Sequence, residues 1–296
     1  MDSALATLGL PVALGIIMFG LGLELTPADF KRVARHPRAA AIALACQLLL
    51  LPTVCFGLVL AFDLPPLLGI GMMLLAASPG GTTAALFSHL FRGDVALNIS
   101  LTAINSLVAI VTLPLITGLA ISYYGRNDDV SMPLAEVVQV FALVLVPVVL
   151  GMLVRRHREA FADRMDRPVR IASAVILAVM ILGVLLAERD NVLDYLGDVG
   201  LVAALFCACS LVLGYLVPKA FGVPRPQAIA ASMEIGVHNA TLAIYVAVEV
   251  LDSVETSVPA AVYSIIMFVF AALWGSWVSR RVHARTSAAE DKALVG

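Results

Sequence analysis

The sequence predicts an all-α polytopic membrane protein of nine transmembrane helices, arranged as an inverted repeat (4+5) with two discontinuous helices. Three observations predict it. The 296-residue chain is 61% hydrophobic and only 14% charged, with a mean hydropathy of +0.98, whereas soluble domains carry about 25% charged residues. Apolar stretches of about 20 residues, enough to cross a bilayer, recur nine times. Basic residues crowd into alternate connections between those stretches. The net charge of −2 argues against a nucleic-acid partner.

The first stretch, 4–25, has neither a basic leader nor a small-residue cleavage site, so it reads as a retained helix and not a signal peptide. The other stretches fall near 38–62, 64–91, 95–123, 132–154, 168–187, 195–221, 226–250 and 256–279. With nine spans, Lys31, Arg32, Arg35, Arg38 and Arg92 share one side with Arg155, Arg156, Arg158, Arg164, Arg167 and Arg170. Lys219, Arg225, Arg280, Arg281, Arg285 and Lys292 complete that side, and only Arg126 and Arg189 lie opposite. Seventeen basic residues against two place the chain in the cell membrane as a multi-pass protein, N-terminus outside and C-terminus cytoplasmic.

Spans 1 to 4 recur as spans 6 to 9 at an offset of roughly 160 residues. Five spans separate each pair, so the copies enter the bilayer in opposite directions, leaving span 5 unpaired. Inverted repeats of this kind characterise secondary transporters.

Span 3 is interrupted by Ser78-Pro79-Gly80-Gly81, and span 8 carries Gly236 and Asn239 at the corresponding depth. Proline lacks an N–H and glycine accepts almost any backbone angle, so both stretches predict broken helices. Lipid cannot satisfy freed backbone groups, and interruptions at matching depths in both halves point to a binding site. Freed carbonyls suit a cation, and the N-ends of the second half-helices suit an anion. Thr82 and Thr83 start one such half, and Asn239 starts the other.

Glu234 lies about ten residues into span 8, with His238 one turn later on the expected helix face. A charge at this depth costs at least about 2.5–3.5 kcal/mol, so it must face a cavity or a partner. Gln47 on span 2, and Asn98, Thr102 and Asn105 on one face of span 4, are further polar groups at depth. The four cysteines, Cys46, Cys55, Cys207 and Cys209, show no metal-ligand spacing and read as small apolar residues. No H-E-x-x-H or G-x-S-x-G motif is present, so an enzyme is not expected.

Four stretches resemble the bile acid:sodium symporters and their bacterial homologues: GIIMFGLGLELTPADFKRVARHPRA (15–39), ACQLLLLP (45–52), SPGGTTAALFSHLFRGDVALNISLTAI (78–104) and MEIGVHNATLAI (233–244). The resemblance implies a core domain of spans 2–4 and 7–9 (37–124 and 194–283), in which the broken spans cross. It implies a panel domain of spans 1, 5 and 6 (1–28 and 132–190), with 284–296 as a cytoplasmic tail. Bacterial relatives commonly have ten helices, and this chain looks like that plan without the first.

The resemblance also implies two sodium sites, with sodium as the coupling ion and no other cofactor. One corresponds to Gln47, Glu234, Ile235, Val237 and His238, with His238 standing where the family has Gln. The other corresponds to Asn98, Thr102 and Glu234, but the family's Ser and Asn after the Gly-Gly turn are here Ala84 and Ala85. Alanine offers no side-chain oxygen to a hard cation. Thr82, Thr83, Asn239 and Asn105 are candidates for contact with an organic anion. Sodium coupling at the Gln47–Glu234 site is the leading expectation. Proton coupling through Glu234 and His238, and an efflux carrier of related fold, remain open.

Overall fold

The computed structural model describes residues 12, 14–20, 22–23, 26, 37–124, 134–187 and 192–295. The described residues contain helices and turns but no strand, apart from one isolated bridge between Gly80 and His238. That is what lipid permits an open chain, since each helix satisfies its own backbone.

Residues 14–20 and 22–23 are helical (α1). Then follow α2 (Pro37–Ala45), a π-turn at Cys46–Leu50, α3 (Leu51–Ala61), α4 (Pro66–Ala77), α5 (Thr82–Leu90) and α6 (Val95–Tyr124). After them come α7 (Leu134–His157), α8 (Glu159–Ala187), α9 (Val192–Ala220), α10 (Arg225–Gly236) and α11 (Ala240–Tyr245). A second π-turn, Val246–Val250, leads through a short connection to α12 (Val254–Val295).

Among the described residues, three unbroken helical stretches are long and apolar enough to cross a membrane: Pro37–Ala61, Val199–Ala220 and Val254–Ser279. A fourth, Val95–Tyr124, bends by 54° beside Ile110. Pro114 explains the bend, because its ring displaces the carbonyl four residues back and removes that carbonyl's donor. The expected basic connection at 31–36 and the connection at 125–131 lie outside the described residues.

Both stretches expected to break are present as pairs of short helices, α4 with α5 and α10 with α11. Prolines begin the first member of each pair, Pro66 in α4 and Pro226 in α10, where a missing N–H has no intrahelical partner to lose. The connections turn on left-handed residues at Asp63 (φ 48°), Arg92 (61°), Gly222 (76°) and Asp252 (47°).

Helices approach closely where side chains are absent. A Cβ on Gly22 would strike the Val148 backbone, and one on Gly151 would strike the Phe19 carbonyl, so α1 and α7 pack backbone to backbone. Cys46, Cys55 and Cys207 are buried and Cys209 is half-buried. The largest fully buried side chains, Tyr263 and Phe206, sit around the break between α10 and α11.

Candidate functional site

The two breaks meet and pair through their backbones. The Gly81 N–H donates to the Val237 carbonyl at 2.8 Å, and the Asn239 N–H donates to the Pro79 carbonyl at 2.8 Å. This antiparallel exchange satisfies two donors and two acceptors that broken helices would otherwise bury unpaired. Ser78 closes α4 with ψ 144°, and its hydroxyl returns to the Leu75 carbonyl at 2.7 Å. Asn239 caps α11 by accepting from the Leu242 N–H at 3.1 Å.

Glu234, in the last turn of α10, is fully buried. Thr102 donates its hydroxyl to Oε2 at 2.5 Å, and the Asn105 amide donates to Oε1 at 3.1 Å. The Gly80 N–H is a third donor to the carboxylate. A Cβ on Gly80 would fall on the carboxylate itself. Glycine is required here because a side chain would occupy the place of the acid. No basic side chain pairs with Glu234 among the described residues.

A second cluster lies at the end of α4. The Gln47 amide donates to the Ser78 carbonyl at 3.0 Å, and His238 Nδ1 meets the same oxygen at 3.2 Å. The His238 ring stacks on Phe206 (5.6 Å, 22°) and meets Tyr263 edge-on (5.5 Å, 68°). The Tyr263 hydroxyl donates to the Gly236 carbonyl at 2.9 Å, fixing the end of α10. Asn98 makes no direct hydrogen bond to Glu234 among the described residues, its amide donating to the Ala230 carbonyl at 2.9 Å.

Glu234 and His238 do not share a helix face, contrary to the spacing argument. The helix ends at Gly236, and Val237 (φ −112°, ψ 85°) turns the chain away, so His238 addresses Ser78 and not the carboxylate. Asn105, expected near an anion, instead holds Glu234. Ile235 and Val237 are buried at the break, with the Val237 carbonyl already accepting from Gly81. Thr82 begins α5, although its side chain lies outside the described residues, and Thr83 is half-buried beside it. Ala84 is buried and Ala85 half-buried one residue further on.

Three amide oxygens in this region, on Gln47, Asn98 and Asn105, are buried with no hydrogen-bond partner among the described residues. Each amide nitrogen is committed to an oxygen acceptor, which fixes the orientation of the group. His238 Nε2 is likewise unpartnered. Ser78 and Gly80 are expected only as part of the break, and Phe206 and Tyr263 not at all. Gly80 carried a visible signal, turn chemistry within an apolar run, whereas Phe206 and Tyr263 are aromatic residues in stretches apolar on every side.

The model of the sodium bile acid symporter family matches residues 11–195. The chain belongs to that family. A Bacillus subtilis relative described as an uncharacterized sodium-dependent transporter, YocS, is 26% identical over 283 residues, 96% of this chain and 87% of its own length. The Arabidopsis thaliana chloroplast protein BASS1, a probable sodium/metabolite cotransporter, is 27% identical over 271 residues, 89% of this chain and 66% of its own. The human P3 protein is 28% identical over 229 residues, 76% of this chain and 47% of its own. The chain therefore spans most of the bacterial relative but about two thirds or less of the plant and animal ones. Family membership and the apolar helices make this a multi-pass membrane transporter and not an enzyme.

Proposed function

We propose that the protein is a secondary active carrier that moves an organic anion, bile-acid-like or a small carboxylate, with sodium by alternating access. The observation that carries the reading is the backbone-paired crossing of two helix breaks beside a fully buried Glu234. A buried acid with hydrogen-bond donors but no cationic side chain is costly alone, and a bound cation offsets that cost. The unpartnered oxygens of Gln47, Asn98 and Asn105 support the same idea, since oxygen acceptors without donors suit a hard cation.

In this reading Gln47, Glu234, Ile235, Val237 and His238 form the working sodium site. Asn98, Thr102 and Glu234 are the remnant of a second, in which Ala84 and Ala85 supply nothing. Asn105 positions Glu234. Thr82, Thr83 and Asn239 are the candidate contacts of the anion, whose charge the N-ends of α5 and α11 attract.

The proposed architecture is nine spans in an inverted repeat. It is supported by the left-handed turns, with Asp63 and Gly222 159 residues apart and Arg92 and Asp252 160 apart. The proline starts of α4 and α10 share that spacing, Pro66 and Pro226 being 160 apart. The α1–α7 contact at Gly22 and Gly151 supports a panel of spans 1, 5 and 6 beside the core.

Orientation follows the arginine asymmetry, with 155–167 cytoplasmic and 124–131 outside. Cysteine at Asn127 should therefore react with an impermeant thiol reagent in intact cells, above the parent's background. Cysteine at Glu159 should react only after permeabilisation. The opposite pattern would reject the nine-span orientation.

Uptake of labelled anions into proteoliposomes tests the function, with sodium and pH gradients imposed separately. A sodium gradient alone should drive accumulation with a Hill coefficient near one, and Ala84→Ser with Ala85→Asn should raise that coefficient. Accumulation driven by pH with sodium absent would replace sodium by a proton, and the unpartnered His238 Nε2 would then be the group to change.

A further inference from the structure

We infer that the groove between α9 and α12 holds an anionic phospholipid, with its acyl chain in the groove and its head group at the basic end. Leu211 and Val212 from α9 form one wall, and Phe270, Leu273, Trp274 and Trp277 from α12 form the other, enclosing about 290 Å³. Leu273 is 68% exposed and Trp277 47%. Such a wall is made for hydrocarbon.

The groove is ordered from its deep end to its basic end. Trp274 is anchored by its indole N–H to the Ser232 hydroxyl at 3.0 Å and meets Tyr215 edge-on at 6.1 Å. Trp277 leans on Trp274 with ring centroids 5.1 Å apart. The Arg225 guanidinium donates to the Val278 carbonyl. Tyr215 thus pairs with Trp274, and the start of α10 pairs with residue 278, so α9 and α12 run parallel towards one surface. At that surface stands the exposed Lys219, and the sequence beyond Trp277 continues into Arg280 and Arg281. Tryptophans with cations just beyond them are the arrangement expected at an anionic membrane surface.

A second groove supplies the contrast. Pro52, Thr53, Phe56, Ile116, Leu119 and Tyr123 line about 380 Å³ between α3 and α6, at positions displaced by about 160 residues from the first groove. The residue after Phe62 is Asp63, and beyond Tyr124 the sequence reads Gly-Arg-Asn-Asp-Asp. The two grooves match in place and apolar lining but differ in the sign of the charge at the end. Charge therefore selects which groove takes an anionic head group. The leaflet, cytoplasmic, rests on the proposed orientation, whereas the head-group preference does not.

Trp274 and Trp277 are the chain's two tryptophans, so intrinsic fluorescence reads this groove directly. The full-length protein is reconstituted in phosphatidylcholine with increasing fractions of brominated phosphatidylglycerol or brominated phosphatidylcholine. Quenching by the glycerol lipid should saturate at a several-fold lower mole fraction. Lys219→Gln should shift that curve towards the choline one, roughly fivefold for one cation, and 0.5 M salt should act in the same direction on the parent protein. Superimposable curves for the two lipids would overturn the inference, as would a preference unchanged by both the substitution and salt. Protection from both quenchers, with self-crosslinking through a cysteine at Leu273, would assign the groove to a second copy and overturn it equally. None of these outcomes depends on transport, so the carrier reading can fail independently.

Discussion

Glu234→Gln should reduce sodium-driven uptake to the level of protein-free liposomes while leaving a folded protein. Glutamine keeps the side chain's length and removes its charge. The carboxylate accepts from Thr102, Asn105 and the Gly80 amide, so a glutamine NH₂ would initially confront a donor. Thr102 resolves the conflict, because its hydroxyl oxygen can accept from that NH₂ while the Asn105 amide still donates to the glutamine oxygen. Thr102 has a second acceptor in the Asn98 carbonyl at 3.1 Å. With its hydrogen bonds re-formed, the variant should lose only about 1 kcal/mol of stability, so its thermal unfolding should stay near that of the parent. Uptake close to the parent level would remove Glu234 from the proposed ion site.

Gly80→Ala should be nearly as damaging, for a steric reason. The new methyl would occupy the position of the Glu234 carboxylate, and that side chain is fully buried and tied to α6 by two hydrogen bonds. Either the acid leaves Thr102 and Asn105 or the crossing separates. Overpacking of this kind costs about 1–3 kcal/mol, and sodium-driven uptake should be lost. Gly81→Ala is the graded comparison, since its Cβ would stand 3.2 Å from the His238 carbonyl, a contact that a small shift relieves. Gly57→Ala, with nothing within 4 Å, should transport normally. Equal activity across the three alanine variants would show that Gly80 does not shape the site.

Much of this was legible in the sequence because lipid simplifies the rules. Apolar length located the helices, and the proline and glycines of residues 78–81 located a break that the structure closes between Ala77 and Thr82. Gln47, Glu234, His238 and Thr102 stood out because polar groups at that depth are expensive. The partnerships were less legible. Asn105 and Glu234 are 129 residues apart, and no local pattern records which polar groups at one depth will meet. The placement of His238 failed because helical spacing was extended across Gly236, where the helix stops. Phe206 and Tyr263 were invisible because hydrophobic periodicity marks a buried face only where the other face is wet.

The backbone exchange at the crossing also sets an order of assembly. Residues 79 and 81 have their partners at 239 and 237, so the first half of the chain cannot satisfy its own break. While the ribosome is still making the second half, the Gly81 amide and the Pro79 carbonyl lack the groups that pair with them in the finished protein, in surroundings that offer few substitutes. Insertion of the early helices is therefore only provisional, and the late arrival of residues 237–239 turns two open breaks into one closed unit. Such long-range closure is slow by nature, and a chain released before that point would hold its most exposed polar backbone at the proposed ion site.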